Sequence, residues 1–231
     1  VSYEAAMGLT AAAVVLVTGT LTTHGMVLEQ SGPGWFDWVP NWAAVTTFVV
    51  PFVIFVIAAT AELNRPPFDL VEAEQELVGG FHTEYSSIRF ALFFLAEFMN
   101  VITMSAVIVT LFLGGPIGPN FGLHGALADF VFPLLWFFLK VLALLVVFVL
   151  FRTTLPRLRY DQLMDLGWKL LIPLALGWFL LLVAFKIGAD NDWSPVATGA
   201  IGLAVIISAA GLLSAAVRTA RYRRADEKVG A

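Results

Sequence analysis

The sequence predicts an all-α membrane protein, a bundle of helices that cross the bilayer several times. Of its 231 residues, 59% are hydrophobic and only 13% are charged, whereas about a quarter of the residues of a soluble domain are charged. The apolar residues are also gathered into runs of roughly 20, the length that a helix needs to cross the hydrocarbon core. Because unpaired backbone groups are very costly in hydrocarbon, these runs are predicted to be helical.

Six runs are predicted to be spanning helices. They lie at about 4–23, 43–61, 88–114, 127–151, 166–187 and 195–217. The chain opens at Val1 with no initiator Met and no charged leader. We therefore expect a fragment or a processed product, with earlier spans missing.

Residues that hold redox centres are scarce. The chain has no Cys, so it cannot form disulfides or a Cys-ligated iron–sulfur centre. His24, His82 and His124 are far apart and are predicted to lie in loops, so none is expected to ligate a haem at membrane depth. Any electron carriers are expected to belong to partner subunits.

Positive charges alternate between loops, which predicts the orientation of the bundle. Arg and Lys occur in residues 62–89, in 152–165 and in the C-terminal tail, whereas none occurs in 24–42, 115–126 or 188–194. By the positive-inside rule, the loops with arginine and both chain ends are cytoplasmic. The tail sequence "RTARYRR" is expected to meet anionic lipid headgroups rather than nucleic acid.

One cytoplasmic segment, "NRPPFDLVEAEQELVGGFHTEY" at 64–85, is unusually acidic. Together with a neighbour in the preceding span it supplies six carboxylates, those of Glu62, Asp69, Glu72, Glu74, Glu76 and Glu84. Arg65 precedes two prolines, which predicts that the second span ends there. Asp69 and Glu72 have the spacing of a capping box, and Gly79-Gly80 supplies a stop, so a short acidic helix is predicted over about 70–78.

Glu72 and Glu76 would share one face of that helix. In a poorly solvated crevice, their repulsion and desolvation would favour protonation near neutral pH, which suits groups that take up and release protons. A solvated acidic loop around a well-capped helix is the alternative, and the residues alone leave both open.

Charged residues inside the predicted spans are candidates for function. Glu97, with Asn100 on the same side, lies in the third span, Lys140 lies near the middle of the fourth, and Glu4 lies at the start of the first. A charge at the centre of a spanning helix costs about 2.5–3.5 kcal/mol, so such residues usually face a bundle interior or a wet cavity. For Glu97 and Lys140 the alternative is a structural ion pair between helices, and Glu4 could be interfacial.

Three further patterns are less specific. Phe68 and Phe81 flank the acidic helix and could hold a quinone ring, although packing is the commoner use of Phe. His82 and Glu84 lack the additional ligands of a zinc site, so no metal is predicted. The second cytoplasmic loop carries Arg152, Arg157 and Arg159, which indicates a docking surface for a soluble partner or a belt that faces headgroups.

Three stretches resemble the H-subunit family of proton-translocating NADH-quinone oxidoreductase, respiratory complex I. Two are long, "AELNRPPFDLVEAEQELVGGFHTEYSSIRFALFFLAEF" at 61–98 and "FRTTLPRLRYDQLMDLGWKLLIPLAL" at 151–176, and "SYEAAMGL" at 2–9 is shorter. The resemblance covers a membrane bundle over 1–187 with cytoplasmic loops at 62–87 and 152–165. Two features depart from it: the family's additional N-terminal spans are missing, and 188–231, an extra span with a basic tail, is not matched.

The resemblance implies a subunit that joins the membrane arm to the peripheral arm, borders the quinone chamber and lines an acidic path toward the proton-pumping subunits. It assigns to the chamber Arg65, Phe68, Asp69 and Phe81. It assigns to the acidic path Glu4, Glu72, Glu74, Glu76, Glu84 and Glu97, with Lys140 as a continuation. It assigns to docking of the peripheral arm Arg152, Arg157 and Arg159.

The resemblance also implies the chemistry and the location. The substrate would be a quinone, either ubiquinone or menaquinone, and the flavin and iron–sulfur clusters that deliver electrons from NADH would belong to partner subunits. The chain would be one subunit of a translocating enzyme in the cell inner (plasma) membrane. Three alternatives stay open: the homologous subunit of a membrane-bound hydrogenase, an ion transporter that uses Glu97 and Lys140, and a purely structural anchor.

Overall fold

The computed structural model describes residues 1–36, 39–69, 85–118 and 126–191, together with the single residues 202, 204 and 211. These residues form helices and one short hairpin. The elements are α1 (Ser2–Thr18), α2 (Thr23–Glu29), β1 (Pro33–Phe36), β2 (Val39–Pro40), α3 (Ala43–Thr46), α4 (Val50–Glu62), α5 (Ile88–Phe112), α6 (Ala126–Thr154), α7 (Tyr160–Leu166), a π-helical turn (Gly167–Leu171) and α8 (Ile172–Asp190).

Three helical stretches in the described part of the chain are long and apolar enough to cross a membrane. They are α5 and the segments Phe130–Thr154 and Tyr160–Asp190, the last formed by α7, the π-helical turn and α8 in one run. They correspond to the predicted spans at 88–114, 127–151 and 166–187. The protein is therefore a helical membrane protein, as its composition predicts.

The first two predicted spans are broken in the structure. α1 stops where Gly19 adopts a left-handed conformation (φ 70°), which glycine does readily. The chain bends by 58° between α1 and α2. The two helices make a fourth candidate span only if they are treated as one bent segment. Residues 43–61 divide into α3 and the 13-residue α4, because Phe48 and Val49 take positive φ angles of 59° and 66°.

The six-span prediction is thus not confirmed. The described residues give three spans, or four with the bent pair, and the predicted span at 195–217 lies outside them except for Gly202, Ala204 and Gly211. The prediction of an all-α fold holds for the described residues, whose one departure from helix is the short antiparallel pairing of β1 with β2. The proline- and glycine-rich sequence "SGPGWFDWVPNW" at 31–42 disfavours a helix there.

The predicted loop at 152–165 is also shorter than expected. It becomes helical at Tyr160, where α7 begins. The backbone N–H of Arg159 donates to the side-chain oxygen of Gln162 (3.0 Å), and Asp161 lies in the first turn. An acidic residue and a side-chain cap both stabilise a helix N-terminus, which accounts for the early start.

α1 is the central helix of the described bundle and packs against α4 and α8. Small buried residues such as Ala6 and Ala13 of α1 and Ala58 and Ala59 of α4 allow the backbones to approach closely, as is common in membrane helices. The larger core lies where Phe112 of α5 meets the rings of Phe52 (5.7 Å) and Phe55 (5.2 Å) of α4. The outer faces of α5 and α6 are apolar and exposed, as expected for contact with lipid or other subunits.

The loops meet in two groups at opposite ends of these helices. At one end, the segment after α4 contacts the segment before α7, since the N–H of Leu158 donates to the carbonyl oxygen of Pro67 (2.9 Å). At the other end, the side chain of Gln30 donates to the carbonyl oxygen of Leu111 (3.1 Å). The loops with arginine therefore lie together at one end, and two of the segments without arginine or lysine meet at the other.

Candidate functional site

A turn after α4 forms the first part of the site. α4 ends at Glu62, just before the proline pair, as the sequence predicts. Asn64 takes a positive φ of 48°, a conformation that Asn tolerates better than most residues. The N–H of Phe68 then donates to the carbonyl oxygen of Arg65 (2.9 Å). This turn brings Arg65, Phe68 and Asp69 to the same end of the bundle.

Arg65 points from this turn to α5. Its Nη2 lies 3.2 Å from Oε1 of Glu97, and its Cζ lies 4.8 Å from the centre of the Phe98 ring. The Arg65 side chain is 12% exposed and that of Glu97 is 37% exposed. An opposite charge and an aromatic face both stabilise a guanidinium in a site that water reaches only partly. The carboxylate inside the α5 span is therefore paired with a residue of the loop.

Asp69 lies on the other side of the turn and is almost completely buried. Its Oδ2 lies 3.6 Å from Nη2 of Arg157, whose side chain is 42% exposed while that of Asp69 is 1% exposed. The neighbouring residues of the two loops are joined by the backbone hydrogen bond from Leu158 to Pro67. Two of the residues predicted for different roles, chamber wall and partner docking, are thus in contact within this chain.

A cavity of about 580 Å³ lies beside these contacts, within the usual size of small-molecule sites. Its walls come from three parts of the chain, the start of α1, the end of α4 with the turn after it, and α7 with the π-helical turn. The lining residues are Val1, Ser2, Tyr3, Ala61, Asn64, Phe68, Tyr160, Leu163, Met164 and Trp168. The lining is mainly apolar and aromatic with a few polar groups, which suits a flat ring with polar substituents.

The π-helical turn fits closely against α1 at this cavity. A Cβ on Gly167 would lie 2.6 Å from Oγ and 3.0 Å from Cβ of Ser2, so only glycine allows this approach. π-helical turns are rare and are often found at functional sites. Tyr160, Trp168 and Asn64 were not among the predicted site residues. The aromatic residues around the second loop were a usable signal, but their separation in sequence hid that they share one cavity with Phe68.

Lys140 is held at the opposite end of α5. Its Nζ donates to the carbonyl oxygens of Leu113 (2.7 Å), Gly115 (3.0 Å) and Ile117 (2.6 Å) and lies 4.9 Å from the centre of the Trp42 ring. A cation at the last carbonyls of a helix interacts favourably with the helix dipole. The structure gives Lys140 these backbone partners rather than a place beside Glu97.

The remaining predicted residues are only partly described. Glu4 lies in the first turn of α1, and Arg152 and Arg159 are exposed. The predicted acidic helix at 70–78 lies outside the described residues. So do five predicted site residues, Glu72, Glu74, Glu76, Phe81 and Glu84.

The sequence is similar to known proteins over most of its length. The model of a family described as NADH dehydrogenase matches residues 1–183. Two curated relatives are H subunits of NADH-quinone oxidoreductase, one from Frankia casuarinae and one from Frankia alni, and each is 49% identical over 214 residues. These alignments cover 90% of this chain, and so extend beyond residue 187, but they cover 45% of each relative. The chain thus spans less than half the length of these relatives.

Proposed function

The chain belongs to the NADH dehydrogenase family, as the match over residues 1–183 shows, and we propose that it forms one wall of a quinone chamber and the start of an acidic path from it. The chamber would include the cavity between the turn after α4 and α7. The path would lead from the chamber into the membrane through Glu97. The names of the two relatives favour a quinone as the substrate over the chemistry of a hydrogenase.

The observation that carries this proposal is the position of Arg65. Two residues separate it from Phe68, which lines the cavity, and its guanidinium pairs with Glu97 inside α5. A change of charge in the cavity would therefore act on the Arg65–Glu97 pair over a short distance and in a partly dehydrated setting, where electrostatic interactions are strong. This pair connects the chamber wall with a carboxylate at membrane depth.

Quinone reduction would supply that change of charge. Two electrons, delivered by iron–sulfur clusters in partner subunits, and two protons convert a quinone to a quinol. When negative charge develops on the quinone, it would attract the Arg65 guanidinium and weaken its hold on Glu97, so that the change of charge is passed into α5. Glu72, Glu74, Glu76 and Glu84 would extend this path, and closely spaced carboxylates titrate as a group.

The chain would function inside a larger complex of subunits. The chain would act as one subunit of a proton-translocating NADH:quinone oxidoreductase, together with other membrane subunits and the quinone-site subunits of the peripheral arm. Flavin and iron–sulfur clusters would reside in those partners. The turn after α4 and the segment before α7 would face the cytoplasm in the cell inner membrane, which the arginines at that end of the bundle support.

The test is Glu97→Gln in the full-length subunit within the intact complex. Electron transfer from NADH to quinone is compared with transfer from NADH to ferricyanide, which accepts electrons upstream of the quinone. We expect quinone reduction or the number of protons pumped per electron to fall at least threefold while ferricyanide reduction is unchanged. The matched control is Glu29→Gln, an exposed carboxylate at the other end of the bundle, which should leave both rates unchanged. Unchanged quinone reduction and pumping in E97Q would refute the proposal.

A further inference from the structure

We propose that Arg157 is a positioning residue for the proposed quinone cavity. Its contact with Asp69 fixes the shape of the cavity, and docking of a partner subunit is not its main role. This inference rests on the proposed function for the meaning of the cavity. The geometry that supports it concerns the contacts within this chain alone.

The first support is the burial of Asp69. Its side chain is 1% exposed and lies 3.6 Å from Arg157. A buried carboxylate is strongly destabilising unless opposite charges and hydrogen bonds compensate it. Arg157 supplies an opposite charge, and its 42% exposure leaves its own desolvation small. The contact therefore favours the folded arrangement of the two loops.

The second support is the neighbouring backbone contact. The N–H of Leu158 donates to the carbonyl oxygen of Pro67 at 2.9 Å. Leu158 directly follows Arg157 in the sequence, and Phe68 lies between Pro67 and Asp69. An ion pair and a backbone hydrogen bond thus join the same two short segments, which we call the loop clasp (Pro67 and Asp69 with Arg157 and Leu158).

The third support is the position of the clasp between the cavity walls. Asn64 and Phe68, on one side, come from the turn that contains Pro67 and Asp69. Tyr160, Leu163, Met164 and Trp168, on the other side, follow directly after Leu158. The clasp therefore sets the distance between the two walls. A displacement of about 1 Å in a binding site can change rates by roughly a hundredfold.

The test is a double-mutant cycle of Arg157→Gln and Asp69→Asn in the full-length subunit of the intact complex. A short-chain quinone is the varied substrate, so that KM and kcat are separated, and membrane-bound NADH–ferricyanide activity reports whether the peripheral arm is retained. We expect R157Q to raise the KM for quinone roughly tenfold while the arm stays bound. We expect Arg157→Lys, which keeps the charge, to have a smaller effect.

The decisive result is the behaviour of the double variant. If Arg157 acts through Asp69, the R157Q/D69N protein is no worse than the more severe single variant, because D69N removes the carboxylate on which Arg157 acts. The matched control is Arg152→Gln, an exposed arginine before the same segment, whose effect should multiply with that of D69N.

Three outcomes would overturn the inference. They are loss of the peripheral arm in R157Q, which would assign Arg157 to docking; multiplicative effects of R157Q and D69N; and an unchanged KM in R157Q. Each can occur while Glu97→Gln still abolishes coupling, so a failure of the clasp is distinguishable from a failure of the proposed function. Conversely, the effects of R157Q and D69N could be non-multiplicative in a complex whose activity is insensitive to E97Q. That result would support the loop clasp and refute the proposed acidic path through Glu97.

Discussion

Nη2 of Arg65 lies 3.2 Å from Oε1 of Glu97, so a residue from an extramembrane turn neutralises a carboxylate inside a spanning helix. A charge inside a spanning helix is costly, about 2.5–3.5 kcal/mol at the helix centre, and the counter-charge of Arg65 offsets part of this cost for Glu97. The pair ties the turn after α4 to the third of the predicted spans.

The first prediction concerns the two halves of this pair. Arg65→Gln leaves Glu97 without its counter-charge, whereas Glu97→Gln leaves a guanidinium that still contacts Phe98. We expect R65Q to lower the thermal stability of the complex more than E97Q does, by about 1–2 kcal/mol, since Glu97 is partly exposed. Thermal melting of the purified complex measures the difference. An equal or larger loss in E97Q would contradict this order, and melting temperatures of both variants equal to that of the unsubstituted complex would show that the pair contributes nothing to stability.

The second prediction concerns Lys140. Replacement by Met removes the donor to the carbonyl oxygens of Leu113, Gly115 and Ile117, and we expect a loss of about 2–4 kcal/mol. Thermal unfolding in detergent is the measurement. Lys186→Met is the matched control, because Lys186 is 48% exposed and lies 4.0 Å from its partner Asp190, an arrangement that is worth little.

Retained stability in K140M, combined with loss of proton pumping, would argue against this structural role. It would support the place in the acidic path that the family resemblance implies for Lys140.

The third prediction concerns the contact of the π-helical turn with α1. Gly167→Ala places a methyl group 2.6 Å from Oγ of Ser2, and we expect a destabilisation of about 1–3 kcal/mol from the forced displacement. Ser2→Ala in the same protein should recover part of it. Gly8→Ala is the control, since nothing lies within 4 Å of a Cβ there and alanine favours the helix. If G167A and G8A behave alike, α1 and the π-helical turn have room for a methyl group between them and the expected clash does not exist.

The fourth prediction concerns Gln30, which is 1% exposed. Its Nε2 donates to the carbonyl oxygens of Met26 and Leu111, both at 3.1 Å, and its Oε1 accepts from the N–H of Ala43 at 3.0 Å. Gln30→Leu has a similar size but removes these side-chain hydrogen bonds and takes away the acceptor of the Ala43 N–H, so we expect a loss of about 2–3 kcal/mol in unfolding free energy. Gln30→Glu should be nearly as destabilising, because a carboxylate cannot donate. Denaturation of the two variants in detergent provides the comparison.

Composition was enough to predict the long helices. α5, α6 and α8 are found close to the expected positions because a run of about 20 apolar residues has few other ways to satisfy its backbone in a membrane. The turn after α4 was also predictable, since the restriction before a proline is local. These features depend on neighbouring residues in the sequence and on the solvent.

The break at Phe48 and Val49 was not predictable in the same way. Nothing in "TTFVVP" marks it as a helix end, and positive φ angles are unusual for Phe and Val. The structure supplies a partner from a distant helix, because Nε1 of Trp178 donates to the carbonyl oxygen of Thr47 (3.0 Å) and its ring meets that of Phe48 edge-on at 6.4 Å. The partners of Lys140 and Arg157 were unpredictable for the same reason, because the oxygens that these two side chains contact lie far away in the sequence.

The two groups of loop contacts differ in how salt should affect them. At the arginine-rich end, the Arg157–Asp69 pair has a solvent-accessible member, since Arg157 lies in the loop before α7 and is 42% exposed. At the other end, the donors Gln30 and Lys140 are only 1% and 8% exposed and bind backbone oxygens. Mobile ions screen exposed charges within about 8–10 Å at physiological strength but hardly reach buried donors. Rising ionic strength should therefore weaken the contacts between the loops at the cavity end. The hydrogen bonds of Gln30 and Lys140 at the opposite end should persist and keep the helices together there.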